Sequence, residues 1–246
     1  MESYCTEYAD RILDGDVVAG RFGRAAAKRH LDDLGRQSAG GLIFDQEAEI
    51  AFYEDISKLT VPTGVMAEQP FELLPSQKFI CGSLFGWHKW SDEFQEYRRR
   101  FRSGHIRTGK GIGKTPLAAA IALYLLLGDD QPQPKIYILA RLMEQAKPIL
   151  DNAVIMRDRS EWLREATLPY GGVNPLKLIS LKDRGEITRV ASDRVGAGHS
   201  GPRASAVIHD EYQEAESSTT FDYYSKKPKH TQHLSLIHIS EPTRPY

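Results

Sequence analysis

Residues 107–126 read RTGKGIGKTPLAAAIALYLL, and this stretch decides the fold that the sequence predicts. Three glycines stand just before a lysine, a threonine and a long apolar run: Gly109, Gly111, Gly113, Lys114 and Thr115. Glycines let the backbone turn sharply and point N–H groups inward, a lysine reaches phosphate oxygens, and a threonine hydroxyl binds Mg²⁺. The stretch therefore predicts a loop that holds nucleotide phosphates, placed between a strand and a helix.

The loop departs from the strict GxxxxGK[ST] pattern at its first position, where Thr108 stands in place of a glycine. Pro116 follows the loop directly, and in the first turn of a helix its missing N–H costs nothing because those donors have no partner within the helix. The proline therefore predicts a helix that begins close to Lys114. The alternative is a glycine-rich turn in front of a core helix.

A pair of acids ends an apolar run further along the chain. The segment AVIHDE places Asp210 and Glu211 at the end of a predicted strand. Such a pair suits a hydrolase, because one carboxylate can hold Mg²⁺ while the other activates the attacking water. The alternative is a helix cap followed by an acid of the first turn.

Strand-like and helix-like segments alternate after the first third of the chain. Residues 135–140 and 204–210 have the composition of buried strands, and residues 176–192 fit a hairpin. Helical patterns at residues 115–128 and 141–156 separate these strands. The alternation predicts an α/β fold, a mostly parallel central sheet flanked by helices.

The sequence divides into three parts. Residues 1–62 are predicted to be a helical segment, and residues 63–234 a phosphate-loop domain that is incomplete at its C-terminus. Residues 235–246, SLIHISEPTRPY, resemble translated adapter sequence at the end of a sequencing read, so we expect a non-native tail outside the fold.

The composition argues against a zinc protein, a membrane protein and a secreted protein. Cys5 and Cys81 lack the spacing of a zinc site, and the chain has neither an apolar run long enough to span a membrane nor a secretory leader. The net charge is -1. Residues 97–115 nevertheless hold five arginines and two lysines without an acid, which predicts either phosphate contacts or a solvated basic face.

Gln77 follows a turn-forming proline in the segment FELLPSQKFICGSLFGW, residues 71–87. Its amide is both donor and acceptor, so it can pair with the edge of an adenine. The alternative is a glutamine on the surface of a helix.

Four segments together resemble the large terminase subunit of tailed double-stranded DNA phages. They are the N-terminal residues 8–34, the glutamine segment 71–87, the loop at 98–119 and the acidic strand at 206–217. The family usually has an arginine where this chain has Lys110. The lysine keeps the positive charge but lacks the planar guanidinium that can bind two phosphate oxygens at once.

The resemblance implies a role for each matching residue. The nucleotide would be held by Gln77, Gly109, Lys110, Gly111, Gly113, Lys114 and Thr115. Thr115 and Asp210 would bind Mg²⁺, and Glu211 would act as the catalytic carboxylate. Gln145 and Ala146 match a pair that recurs in the family, with no role derivable from the residues.

The resemblance also implies a function, an ATPase motor that packages double-stranded DNA into procapsids in the cytoplasm of the infected bacterium. Its implied partners are the small terminase subunit, the portal protein and further copies of the large subunit in a ring. No membrane association is expected. Nothing after Glu216 supplies the family's nuclease residues, so no nuclease activity is expected. Two alternatives stay open, a helicase-like nucleic-acid translocase and a nucleotide- or DNA-binding fragment without turnover.

Overall fold

The computed structural model describes residues 3–37, 41–109, 111–129, 131–140, 142–191, 204–210 and 235–240, with the backbone alone for 210 and 235–240. The chain forms two compact units. One comprises Met1–Ser57 and Glu72–Arg102, the other Lys58–Phe71 and Ser103–Tyr246. This division differs from the boundary expected after residue 62, because helix α4 (Pro75–Gly86) packs against the N-terminal helices.

The first unit combines four helices with a small antiparallel sheet in the order β1-β2-β3. The helices are α1 Tyr4–Asp14, α2 Arg21–Leu34, α3 Gln46–Ser57 and α4 Pro75–Gly86; the strands are β1 Leu42–Phe44, β2 Trp87–Ser91 and β3 Glu96–Arg99. The hydroxyl of Ser3 caps α1 by accepting from the N–H of Thr6 at 3.2 Å, and Gly15 ends it at φ +94°.

A buried histidine joins the helices of this unit to the start of its sheet. The indole N–H of Trp87 donates to Nδ1 of His30 at 2.9 Å, so Nδ1 carries no proton. Nε2 of His30 therefore carries the proton and donates to the Thr6 hydroxyl at 3.0 Å. Burial lowers the pKa of His30 from 6.5 to about 4, so the imidazole is neutral at physiological pH.

Helix α4, which carries Gln77, is held close to α1 and α3 around one glycine. Glu49 is fully buried and accepts from the backbone N–H of Cys5 and from the hydroxyl of Tyr53, both at 2.8 Å. A Cβ atom at Gly82 would collide with the Tyr53 hydroxyl and lie 3.0 Å from Oε1 of Glu49. Only glycine lets α4 approach this closely.

The second unit is built on a seven-stranded sheet in the order β4-β10-β9-β5-β8-β7-β6. Its strands are β4 Ser103–Arg107, β5 Lys135–Ala140, β6 Thr167–Tyr170, β7 Lys177–Ser180, β8 Glu186–Ala191, β9 Ala206–Asp210 and β10 Ser235–Ser240. Its helices are α5 Lys114–Leu127, α6 Met143–Asp158 and α7 Glu161–Ala166. Strands β4, β10, β9, β5 and β8 run parallel, whereas β7 is antiparallel to β8 and β6. The α/β prediction and the β7–β8 hairpin are confirmed.

Helix α5 is the central helix of this unit. It is apolar all round, and its residues Leu117–Leu123 are buried almost without exposure. It packs against α6 and against β5, β8 and β9. A helix that is apolar on every side is stable only when it is covered on every side, which fixes α5 and the loop before it to the sheet.

Residues 235–240 lie inside the sheet, although the sequence predicted a tail outside the fold. Strand β10 pairs in parallel with β4 on one side and with β9 on the other. The segment SLIHIS is rich in β-branched residues, and such a segment gives hydrogen-bond partners to two strand edges at once. Residues 241–246 lie outside the described part of the chain.

Within the described residues, no helix is long and apolar enough to cross a membrane.

The buried histidine predicts how the stability of the first unit depends on pH. Its pKa is about 4 folded and 6.5 unfolded, so the unfolded state gains the proton first as the pH falls. As the pH falls from about 7 to about 5, protonation of His30 in the unfolded state should lower the free energy of unfolding of the wild type by about 2 kcal/mol. The variant His30→Gln should lose about 2 kcal/mol less over the same interval, measured by urea unfolding.

The matched control is His105→Gln, which changes an exposed histidine of β4 and leaves His30 in place, so the loss caused by His30 should remain. An equal loss in the His30→Gln variant and the wild type would contradict the neutral, buried imidazole.

Candidate functional site

The predicted phosphate loop lies between the end of β4 at Arg107 and the start of α5 at Lys114. Gly111 has φ +86° and Gly113 has φ +74°, a left-handed conformation that side chains with a Cβ atom rarely adopt. Gly109 is not among the residues with positive φ. Two of the three glycines are therefore required by the backbone, and Lys110 lies outside the described residues.

The ammonium group of Lys114 folds back over the loop. Its Nζ donates to the carbonyl oxygens of Thr108 at 3.4 Å and of Gly109 at 3.5 Å. These bonds are long, and bonds to phosphate oxygens are shorter and stronger because both partners carry charge. The lysine is thus held over the loop by two long bonds to backbone carbonyl groups.

The helix begins where the proline predicts. Lys114 is the first residue of α5, Pro116 the third, and the N–H of Leu117 donates to the carbonyl of Gly113 at 3.0 Å. The missing N–H of the proline falls among the donors that have no partner within the helix. Thr115 is half-buried in the first turn, where backbone N–H groups and the helix dipole favour an anion.

Asp210 ends β9 at the same edge of the sheet as the phosphate loop. In the register of the parallel strands, Ile239 of β10 is paired with Ile106 of β4 and with Asp210 of β9. Two strand spacings put the Cα atoms of Ile106 and Asp210 about 10 Å apart. The loop and the aspartate therefore share one edge with a single strand between them, and Glu211 lies outside the described residues.

His209, next to this aspartate, belongs to the interior. It is 2% exposed, and burial lowers its pKa to about 4. A neutral imidazole here adds no positive charge to the edge of the sheet.

Gln77 is buried, which makes the surface-helix alternative wrong. It is the third residue of α4 and 6% exposed. Its Oε1 accepts from the backbone N–H of Leu74 at 2.9 Å, so the side chain caps the helix. Adenine recognition by Gln77 stays a prediction.

Gln145, to which sequence reasoning gave no role, makes the same contact at the start of α6. Its Oε1 accepts from the N–H of Leu142 at 3.0 Å, and Ala146 is fully buried behind it. Leucine precedes glutamine by three residues at both helices, which is the spacing of a capping box. That spacing was the signal that could have revealed both caps.

The arginine run before the loop is engaged in packing. Arginines 98, 99 and 100 are all partly buried, and Arg100 forms an ion pair with Asp33. Each guanidinium lies over an aromatic ring: Arg98 over Phe94 at 3.8 Å, Arg99 over Phe85 at 5.0 Å and Arg100 over Trp87 at 5.5 Å. Arg98 also forms an ion pair with Glu96 at 3.2 Å. Cation–π contacts and two ion pairs account for these charges, so this part of the run is not a solvated basic face.

Comparison with known proteins connects this geometry to a family. Residues 75–170 match the model of the terminase large subunit ATPase domain. The matched range contains the phosphate loop, α5 and both glutamine caps. No match was found among curated protein sequences.

Two solved structures are similar to this chain. The large terminase of bacteriophage HK97 is 26% identical, with a TM-score of 0.60, over 79% of this chain and 37% of that protein. The large terminase ATPase domain of Thermus phage P74-26 is 21% identical, with a TM-score of 0.47, over 71% of this chain and 72% of that one. The chain thus spans little more than a third of the HK97 protein.

The loop geometry predicts different outcomes for alanine at two neighbouring glycines. A Cβ atom at Gly111 meets nothing within 4 Å, and at Gly109 only the end of the Ile112 side chain at 4.0 Å, so both sites have room. Only Gly111 has a positive φ. Gly111→Ala should therefore lower the unfolding free energy by about 1 kcal/mol, and Gly109→Ala by less than about 0.5 kcal/mol.

Urea unfolding of the two variants checks this difference. Equal losses would mean that the left-handed turn at Gly111 does not exist in solution.

Proposed function

Because residues 75–170 match the model of the terminase large subunit ATPase domain, we propose that this chain binds ATP with Mg²⁺ and hydrolyses the nucleotide. The hydrolysis drives double-stranded DNA into a procapsid in the cytoplasm of an infected bacterium. One observation carries the proposal: the glycine-rich loop and Asp210 lie at the same edge of the sheet, one strand apart. Ligands of open parallel sheets bind at this edge, where the strands end.

The loop supplies the phosphate-binding groups. Backbone N–H groups around Gly111 and Gly113 face a bound anion, and Lys114 exchanges its long bonds to loop carbonyls for bonds to phosphate oxygens. The start of α5 adds its dipole. These groups offset the negative charge that accumulates on the phosphates when the bond to the leaving group breaks.

Thr115 and Asp210 are the residues that would hold Mg²⁺. A hydroxyl in the first turn of α5 and a carboxylate at the end of β9 are hard oxygen donors at one edge, and such donors suit this ion. The bound ion would supply positive charge to the phosphate oxygens. We propose that Glu211, the residue after the strand, accepts a proton from the attacking water.

We assign adenine recognition to Gln77. An amide is both donor and acceptor, which suits the edge of an adenine. The bond from the N–H of Leu74 to Oε1 of Gln77 fixes the orientation of the amide. The support is the resemblance of residues 71–87 to the family.

The remaining partners follow from the family alone. A packaging motor requires double-stranded DNA, a portal, a small terminase subunit and further copies of the large subunit in a ring. The similar HK97 protein is a large terminase of which this chain spans 37%, so the activities of the whole protein are part of the proposal.

Lysine 114 gives the test of the hydrolytic site. Lys114→Ala removes the cation that meets the phosphates, and we expect steady-state ATP hydrolysis to fall at least about 100-fold. The matched control is Lys135→Ala, which removes an exposed lysine from the opposite edge of the same sheet. That variant should hydrolyse ATP at the wild-type rate.

The rate of phosphate release, followed at saturating ATP, distinguishes the outcomes. Equal rates for the wild type and Lys114→Ala would contradict the proposed site. A binding fragment without turnover would instead retain nucleotide affinity and show no hydrolysis in any variant.

A further inference from the structure

Tyr53 of α3 contacts the first turn of α4. It is 8% exposed, and its hydroxyl donates to the backbone carbonyl oxygen of Lys78 at 2.8 Å. Lys78 directly follows Gln77 in α4. Oε1 of Glu49, one turn before Tyr53 on α3, lies at the same 2.8 Å from the hydroxyl. The single proton of this hydroxyl is thus shared between a carboxyl group of its own helix and the backbone of α4.

The packing around Tyr53 fixes this contact. A Cβ atom at Gly82 would collide with the hydroxyl, so the hydroxyl occupies the space that the glycine leaves free. The ammonium group of Lys78 lies 3.9 Å from the ring centre of Tyr4 and 5.7 Å from that of Tyr53, which adds cation–π attraction. Burial raises the pKa of Tyr53 above its usual value, so the hydroxyl keeps its proton and remains a donor at physiological pH.

The contact determines where the Gln77 amide lies. The amide is tied to the backbone of its own turn, because its Oε1 accepts from the N–H of Leu74 at 2.9 Å. The N–H of Lys78 donates to the carbonyl of Leu74, also at 2.9 Å, so the residue that Tyr53 holds belongs to the same turn. A shift of this turn relative to α3 therefore moves the amide with it.

We propose that Tyr53 is a positioning residue for base recognition, which holds the Gln77 amide where it selects adenine over guanine. This inference rests on the proposed function, in which Gln77 meets the base. Adenine offers a donor and an acceptor side by side, which a glutamine amide can bind together, whereas guanine offers two acceptors along the same edge. Such selection requires an amide held within about 0.5 Å of its productive position.

The affinities for ADP and GDP, measured by displacement of a fluorescent ADP analogue, test this role. In the wild type ADP should bind at least about 10-fold more tightly than GDP, and Gln77→Ala should remove most of that preference. Tyr53→Phe deletes only the hydroxyl, and it should weaken ADP binding about 5-fold while the affinity for GDP stays unchanged. If Tyr53 served only the stability of the first unit, the two affinities would change alike.

The matched control is Tyr8→Phe, which removes a hydroxyl from α1 and keeps the ring that packs 5.6 Å from the ring of Phe79 in α4. It should keep the wild-type preference for ADP. An unchanged preference in Tyr53→Phe, beside a lost preference in Gln77→Ala, would overturn this inference alone. Equal affinities in the wild type, or a preference that survives Gln77→Ala, would overturn the adenine assignment and this inference with it. None of these readings depends on hydrolysis.

Gly82→Ala tests the same contact from α4. The added methyl group displaces the Tyr53 hydroxyl, with which it would collide. The preference for ADP should therefore fall at least about 5-fold. The double variant with Tyr53→Phe should show no greater loss than Gly82→Ala alone, because both substitutions remove the same hydrogen bond. Additive losses would contradict the assignment of base selection to this hydroxyl.

Discussion

Parallel backbone pairing on both sides of β9 is the constraint on which the site depends. β9 lies between β10 and β5, and β10 joins it to β4. In a parallel sheet all carboxyl ends meet at one edge, so backbone pairing alone brings Asp210 and the loop after β4 to the same edge. A slip of one residue in this register would exchange the residues of β9 that face the two sides of the sheet.

Local sequence rules predicted most of the elements that build this edge. The apolar run after Pro116 gave the buried helix α5, and the runs at residues 135–140 and 206–210 gave β5 and β9. The left-handed turns at Gly111 and Gly113 follow from the same glycine pattern. These features are local because each follows from the backbone freedom or burial of a few neighbouring residues.

The features that sequence reasoning missed depend on distant parts of the chain. Residues 235–240 were predicted to lie outside the fold because they resemble translated adapter sequence. Their place in the sheet comes from backbone pairing with β4 and β9, which are distant in the sequence. Gln77 was taken for a base-recognising or surface side chain, and its burial comes from the packing of α4 on the N-terminal helices. The charge of Arg100 was assigned to phosphate or solvent because neither Asp33 nor Trp87 is near it in sequence.

The central claim is that one nucleotide and its metal contact both the loop and Asp210. Paramagnetic Mn²⁺ added with ADP tests it most directly, by the NMR signals of individual backbone N–H groups. We expect the signals of Thr115 and Asp210 to broaden together, whereas that of Lys135, at the opposite edge of the sheet, stays sharp. A broadened Thr115 signal beside an unchanged Asp210 signal would contradict a shared site.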